Sequence, residues 1–197
     1  MFVEPHLGSR NQKTGWIEVI SGCMFSGKTE ELIRRLNRAI IARQKVEIFK
    51  PKTDNRYHND HVISHSEREI KSSSLEYSPE ILQRAADCDV VGIDEAQFFD
   101  KKIVDVCNEL ANSGKRVIVA GLDMDFEGKP FGPMPDLMAV AEFVTKLHAI
   151  CMKTGELASF SFRLSESNEQ IKLGAQNHYE ARSRASFIAD MKNENKQ

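Results

Sequence analysis

The sequence predicts an α/β fold, a parallel sheet flanked by helices, from three features: short apolar β-branched runs, amphipathic stripes alternating with them, and a glycine-rich loop joining the first run to the first stripe. Trp16-Ile-Glu-Val-Ile-Ser21 reads as the first strand, and Leu32, Ile33, Leu36 and Ile40 recur at helical spacing on one face of the segment after the loop. Val46-Glu-Ile-Phe49 reads as a second strand, stopped by Pro51. A short helix is expected from near Ser78-Pro79, since proline suits a first helical turn, and Val90-Val-Gly-Ile93 follows as a third strand. Ile103 to Leu110 carries another helical stripe, Val117-Ile-Val-Ala120 a fourth strand, and Phe143 to Ile150 a last one.

Two segments break this rhythm. Residues 51 to 77 are polar, with three histidines and a serine run, and suit a mobile loop or a small hairpin. Residues 151 to 189 form a compositionally distinct small unit after the main domain, 16 to 150; residues 1 to 15 are expected to be flexible and 190 to 197 a disordered tail.

At 197 residues and 41% hydrophobic composition, the chain can bury one sizeable core. Lys and Arg total 27 against 29 Asp and Glu, a net charge of -2, so no positive excess exists to hold a polyanion, and nucleic acid is not the expected partner. The first fifteen residues show neither a signal peptide nor an organelle presequence, and no apolar run is long enough to span a bilayer; the expected location is the cytoplasm. Cys23, Cys88, Cys107 and Cys151 form no C-x-x-C pair, against both a disulfide framework and a dithiol redox site.

Gly22-Cys23-Met24-Phe25-Ser26-Gly27-Lys28-Thr29 fits G-x-x-x-x-G-K-S/T, between a strand and an amphipathic helix where a phosphate loop must stand. In such loops backbone N–H groups wrap the β-phosphate at a helix N-terminus, the lysine reaches the β and γ oxygens, and the hydroxyl serves Mg²⁺. The bland alternative, a glycine-rich turn that binds nothing, does not need the Lys-Thr pair. Asp94-Glu95 leaves the C-terminal end of an apolar strand, where open α/β sheets gather ligands. The first acid of such a pair supports Mg²⁺, and the second can act on water or on a substrate hydroxyl. The pair alone leaves hydrolysis and transfer both open.

Together, Gly22 to Thr29, Asp94-Glu-Ala-Gln-Phe-Phe99, Gly121-Leu-Asp-Met-Asp-Phe126 and Lys50-Pro51 with Asp54-x-Arg56-Tyr57 resemble the type II thymidine kinases, from about Trp16 to Phe187. The resemblance implies a RecA-like P-loop NTPase sheet followed by a small C-terminal lasso subdomain, and an enzyme that passes the γ-phosphate of ATP to the 5′-hydroxyl of thymidine. It implies Glu95 as general base, Lys28 and Arg56 beside the transferring phosphate, Thr29 and Asp94 as the Mg²⁺ side, and Gln97 among the ATP-binding residues. Met24, Phe99, Leu122 and Phe126 match positions around the thymine ring; the bland reading as core suits Met24 and Leu122 better than the two phenylalanines. Asp54, Tyr179 and the backbone of the Leu173-Gly174 loop match further substrate positions. A homotetramer and feedback inhibition by dTTP are also implied.

One part departs from the family. Its small subdomain is usually stapled by zinc through two C-x-x-C/H pairs; here those places hold Cys151-Met-Lys-Thr154 and Ser183-Arg-Ala-Ser186, one thiol among four positions, so no zinc is expected. Phe160, Phe162, Phe187 and Ile188 are the candidates to replace it by apolar packing. His58, His61 and His65 have metal-like spacing, but their polar setting favours a solvated loop. The rival functions are a RecA-like ATPase motor, in which Glu95 activates water, and a non-catalytic nucleotide-binding module. Nucleoside dependence of ATP use separates the first from a kinase, and the effect of Glu95→Gln the second.

Overall fold

The computed structural model describes residues 14–52, 61–63, 69–164 and 178–194. In chain order β1 (Trp16–Gly22) leads through the glycine-rich loop into α1 (Lys28–Ile41), followed by β2 (Val46–Pro51), β3 (His61–Ile63), β4 (Glu69–Lys71), β5 (Ser73–Leu75) and α2 (Glu80–Arg84). Then come β6 (Val90–Ile93), α3 (Ile103–Asn112), β7 (Arg116–Leu122), α4 (Met134–Val140) and β8 (Phe143–Leu147). The central sheet has six strands in the order β5-β2-β6-β7-β1-β8, and every pairing in it is parallel.

Burial on both sheet faces explains the nearly continuous apolar strands. Successive side chains point to opposite faces. Ile17, Val19, Val91, Ile93, Val117 and Val119 therefore enter one core cluster, with α3 and α4 residues, while Ile20, Val90, Ile118 and Ala120 enter the other, with Leu32, Ile33 and Leu36 of α1. Gly92 sets how closely α1 approaches the sheet. A Cβ there would stand 2.8 Å from Leu36 Cδ1, so even alanine would require the Leu36 side chain to shift within a close-packed core.

Glu18 sits on the α1 face in this otherwise apolar strand, with no solvent exposure. It accepts from Arg35 Nη1 at 2.9 Å and from Arg116 Nε at 2.6 Å. Trp16 Nε1 adds a third bond at 2.7 Å. A buried carboxylate is tolerable only when so surrounded.

The structure revises several expectations. The polar segment contains the anticipated hairpin, β3 against β4, and also β5, which joins the edge of the large sheet beside β2. Helix α4 carries no periodic signal strong enough to have been read. The strand expected from Phe143 to Ile150 is two: β8 follows β1 only to the Gly22–Leu147 pair, after which β9 (Ala149–Ile150) pairs antiparallel with β10 (Leu157–Ala158). Once β1 ends, the backbone groups after Leu147 must find another partner.

The C-terminal unit continues with β11 (Phe160–Arg163) and β12 (Tyr179–Arg182), antiparallel, and a helix over Arg184–Glu194 that runs beyond the tail boundary expected at residue 190. Phe187 stacks on Phe160 with centroids 4.6 Å apart and meets Phe162 edge-on at 6.2 Å. Ile188 does not join them, being 44% exposed. No helix among the described residues is long and apolar enough to cross a membrane.

Candidate active site

The glycine-rich loop wraps because its backbone takes conformations that most residues avoid. Gly27 (φ 84°) and Phe25 (φ 64°) are left-handed. A Cβ on Gly22 would meet Leu147 O at 2.4 Å and Ser26 Oγ at 2.8 Å, so the start of the loop admits only glycine. Gly27 caps α1 without any side-chain hydrogen bond, which leaves the first-turn N–H groups to an anion. Inside the loop Cys23 O accepts from both Lys28 Nζ and Ser26 Oγ at 2.8 Å. These features fit the phosphates of a nucleotide.

Lys28 is the charge centre of the site. Burial lowers its pKa from the ordinary lysine value, while carboxylates oppose that shift, Glu95 most strongly and then Asp94 and Asp123. Glu95, Asp94 and Asp123 thus lie within electrostatic reach of Lys28. Thr29 Oγ1 lies 3.4 Å from Asp94 Oδ2, and Asp94 Oδ1 accepts from Glu95 N at 2.9 Å. Glu95 itself is left-handed, at φ 51° and ψ 40°, a conformation costly for a residue with a Cβ and common where function dictates geometry.

Gln97, expected among the nucleotide contacts, bridges Glu95 and the end of β7. Its Nε2 donates to Glu95 Oε2 at 2.5 Å and its Oε1 accepts from Leu122 N at 2.9 Å. The bond to Glu95 holds the candidate base in place.

The apolar positions lie in different settings. Phe99, 6% exposed, belongs to the larger core cluster, whereas Leu122 is buried outside the four core clusters at the C-terminal end of β7. Met24, in the loop, donates its N–H to Ser161 Oγ at 3.0 Å, which ties the phosphate loop to β11. Phe126 faces the guanidinium of Arg163, 3.5 Å from the ring centroid, and Tyr179 shares that guanidinium at 5.5 Å. Asp54, Arg56, Leu173 and Gly174 lie outside the described residues, as do His58, His65 and the side chain of His61.

Sequence reasoning missed Ser161, Arg163, Asp123 and Lys146. Asp123 is buried and accepts an ion pair from Lys146 Nζ at 2.7 Å, on the phosphate-loop side of β7 and β8. The alternation Phe-Ser-Phe-Arg over 160–163 was the available signal, but it points as readily to a solvated face as to a buried polar one.

The zinc-like positions come together in space. The Cys151 thiol is raised by burial, but the Thr154 hydroxyl and the N–H groups of Ser183, Lys153 and Thr154 outweigh that and bring its pKa from 9.0 down to about 6. Ser186 N donates to Ser183 Oγ at 3.4 Å. One thiol and three hydroxyls are a poor donor set for zinc. No group of three or more His, Cys, Asp or Glu side chains that could hold a metal occurs among the described residues.

A nucleotide loop, its lysine and threonine, and an acidic pair at the carboxyl edge of a parallel sheet define a P-loop protein equipped for phosphoryl chemistry. The comparisons narrow that class. A family model described as thymidine kinase matches residues 15–187. The chain is 56% identical over 187 residues to a thymidine kinase of Rhodothermus sp. (strain ITI 518), covering 95% of this chain and 88% of that one. It is 57% identical over 180 residues to a thymidine kinase of Bacteroides fragilis (strain YCH46), covering 91% and 90%. With a thymidine kinase of Bacteroides thetaiotaomicron it shares 54% over 188 residues, covering 95% and 94%. The chain belongs to the thymidine kinase family.

Proposed function

We propose that this protein transfers the γ-phosphate of ATP to the 5′-hydroxyl of thymidine, giving dTMP for pyrimidine deoxynucleotide salvage. The observation that carries the reading is Glu95, the strongest charge partner of Lys28 and fixed through Oε2 by Gln97. A carboxylate so placed can take the alcohol proton as the oxygen–phosphorus bond forms, while the lysine and loop N–H groups hold the phosphates in line.

Thr29 and Asp94 would hold Mg²⁺, whose charge offsets that of the β and γ oxygens. Arg56 beside the transferring phosphate, Asp54 near the sugar, and the Leu173-Gly174 backbone against the base complete the reading, as the family resemblance implies. Met24, Phe99, Leu122, Phe126 and Tyr179 form the apolar surround of the base. The protein acts in the cytoplasm as a homotetramer subject to inhibition by dTTP, and holds no zinc, because the four corresponding positions offer one thiol.

The test is a panel with ATP and Mg²⁺ against thymidine, deoxyuridine, deoxycytidine and no acceptor. Phosphorylation of thymidine with little ADP formed in its absence is the expected result. Hydrolysis of ATP indifferent to nucleoside would overturn the reading in favour of an ATPase motor.

A further inference from the structure

Strand β11 presents a polar face to the site. Ser161 and Arg163, two residues apart, both point that way: Ser161 Oγ receives the Met24 N–H of the phosphate loop at 3.0 Å, and Arg163 meets two aromatic rings. Its guanidinium carbon lies 3.5 Å from the centroid of Phe126, which comes from the segment after β7, and 5.5 Å from that of Tyr179 on β12. Arg163 and Tyr179 are direct cross-strand partners in the β11–β12 ladder, so the backbone itself brings guanidinium and phenol side by side. Only 4% of Arg163 is exposed.

A cation this deeply buried on a ring face is an arrangement with a cost in desolvation, kept where its geometry serves something. Phe126 and Tyr179 come from chain segments distant in sequence. Arg163 lies against both, and its planar fork can stack on one ring while remaining beside the other, which an ammonium cannot do.

We propose that Arg163 is a positioning residue for the pyrimidine base: stacked on Phe126 and paired with Tyr179, it fixes the two aromatic rings at the spacing in which they receive a flat heterocycle. It acts through those rings on nucleoside affinity and leaves the phosphate side alone. The inference rests on the reading of Phe126 and Tyr179 as base contacts.

Steady-state kinetics of Arg163→Met, Arg163→Lys and Phe126→Ala in the full chain test it, with thymidine and ATP varied separately and thermal melts alongside. Arg163→Met is expected to raise the thymidine KM about tenfold, the scale of a desolvated cation–π contact, with the ATP KM within about twofold. Arg163→Lys is expected to fall between the two, keeping charge without the planar stack. If Phe126→Ala raises the thymidine KM and neither Arg163 variant does, the positioning role is wrong and the base pocket stands. If Phe126→Ala also leaves that KM unchanged, the pocket reading itself fails. Equal rises in both KM values, or a lowered melting temperature with both KM values intact, would reduce Arg163 to a structural residue. Should Arg163→Met not fold, the lysine variant decides: an unchanged thymidine KM overturns the proposal, and a selective rise supports it.

Discussion

Gln97 donates through Nε2 to Glu95 Oε2 at 2.5 Å, and its Oε1 accepts the Leu122 N–H at 2.9 Å, so one buried amide ties the candidate base to the end of β7. Gln97→Leu removes both bonds and leaves a buried N–H unpaired. The expected outcome is a fall in kcat of ten- to a hundredfold, the order that follows when a catalytic group drifts by about 1 Å, with the ATP KM nearly unchanged. A raised ATP KM with kcat intact would return Gln97 to the nucleotide.

Glu95→Gln keeps the shape of the side chain and an oxygen for the Gln97 donor, but loses the basicity. Turnover is expected to drop roughly 10²- to 10⁴-fold, the range for general base catalysis, while ATP binding by titration calorimetry and the melting temperature hold. A variant with near-normal turnover would leave Glu95 without a chemical role.

The features legible in the sequence were those with a period or a motif. β1, the glycine-rich loop and α1 were readable because strand, Gly-x4-Gly-Lys-Thr and a helical stripe reinforce each other over some twenty-five residues of contiguous chain. β6 and the acidic pair followed for the same reason. What escaped depends on partners distant in sequence. Glu18 is an unremarked polar residue in a strand until Arg35 and Arg116 arrive from α1 and β7. Arg163 is one of many arginines until β12 and the segment after β7 close around it.

The Glu18 cluster makes a stability prediction independent of chemistry. Its carboxylate stands between two guanidiniums, both buried, and Arg35 reaches Glu31 as well, at 2.8 Å. Glu18→Ala takes the carboxylate from buried Arg116 and leaves Arg35 with Glu31 alone, and removing one member of such a buried cluster costs about 3–5 kcal/mol. Denaturant unfolding should show that loss, while KM values of the fraction that remains folded stay near normal. A cost under about 1 kcal/mol, the range of surface pairs, would mean that water reaches the cluster.

Cys151 predicts a pH dependence whose sign is fixed by its environment. Its pKa falls from 9.0 to about 6 in the folded protein, held there by the Thr154 hydroxyl and the N–H groups of Ser183, Lys153 and Thr154 against the opposing effect of burial. Between those two values the unfolded chain carries the proton and the folded chain does not, so stability rises with pH across this window. The contribution is complete above pH 9 and is lost as pH falls to about 6. Cys151→Ser does not titrate there. The difference in melting temperature between the wild-type protein and Cys151→Ser should therefore widen from pH 6 towards pH 9 and level off beyond. Run with a chelator present, the comparison also separates hydrogen-bond donors from a metal as the partner of the thiolate. A gap that chelation abolishes, or about one zinc per chain in the purified protein, would show that the Ser183 side has been misread; a gap constant with pH would mean that the thiol stays protonated.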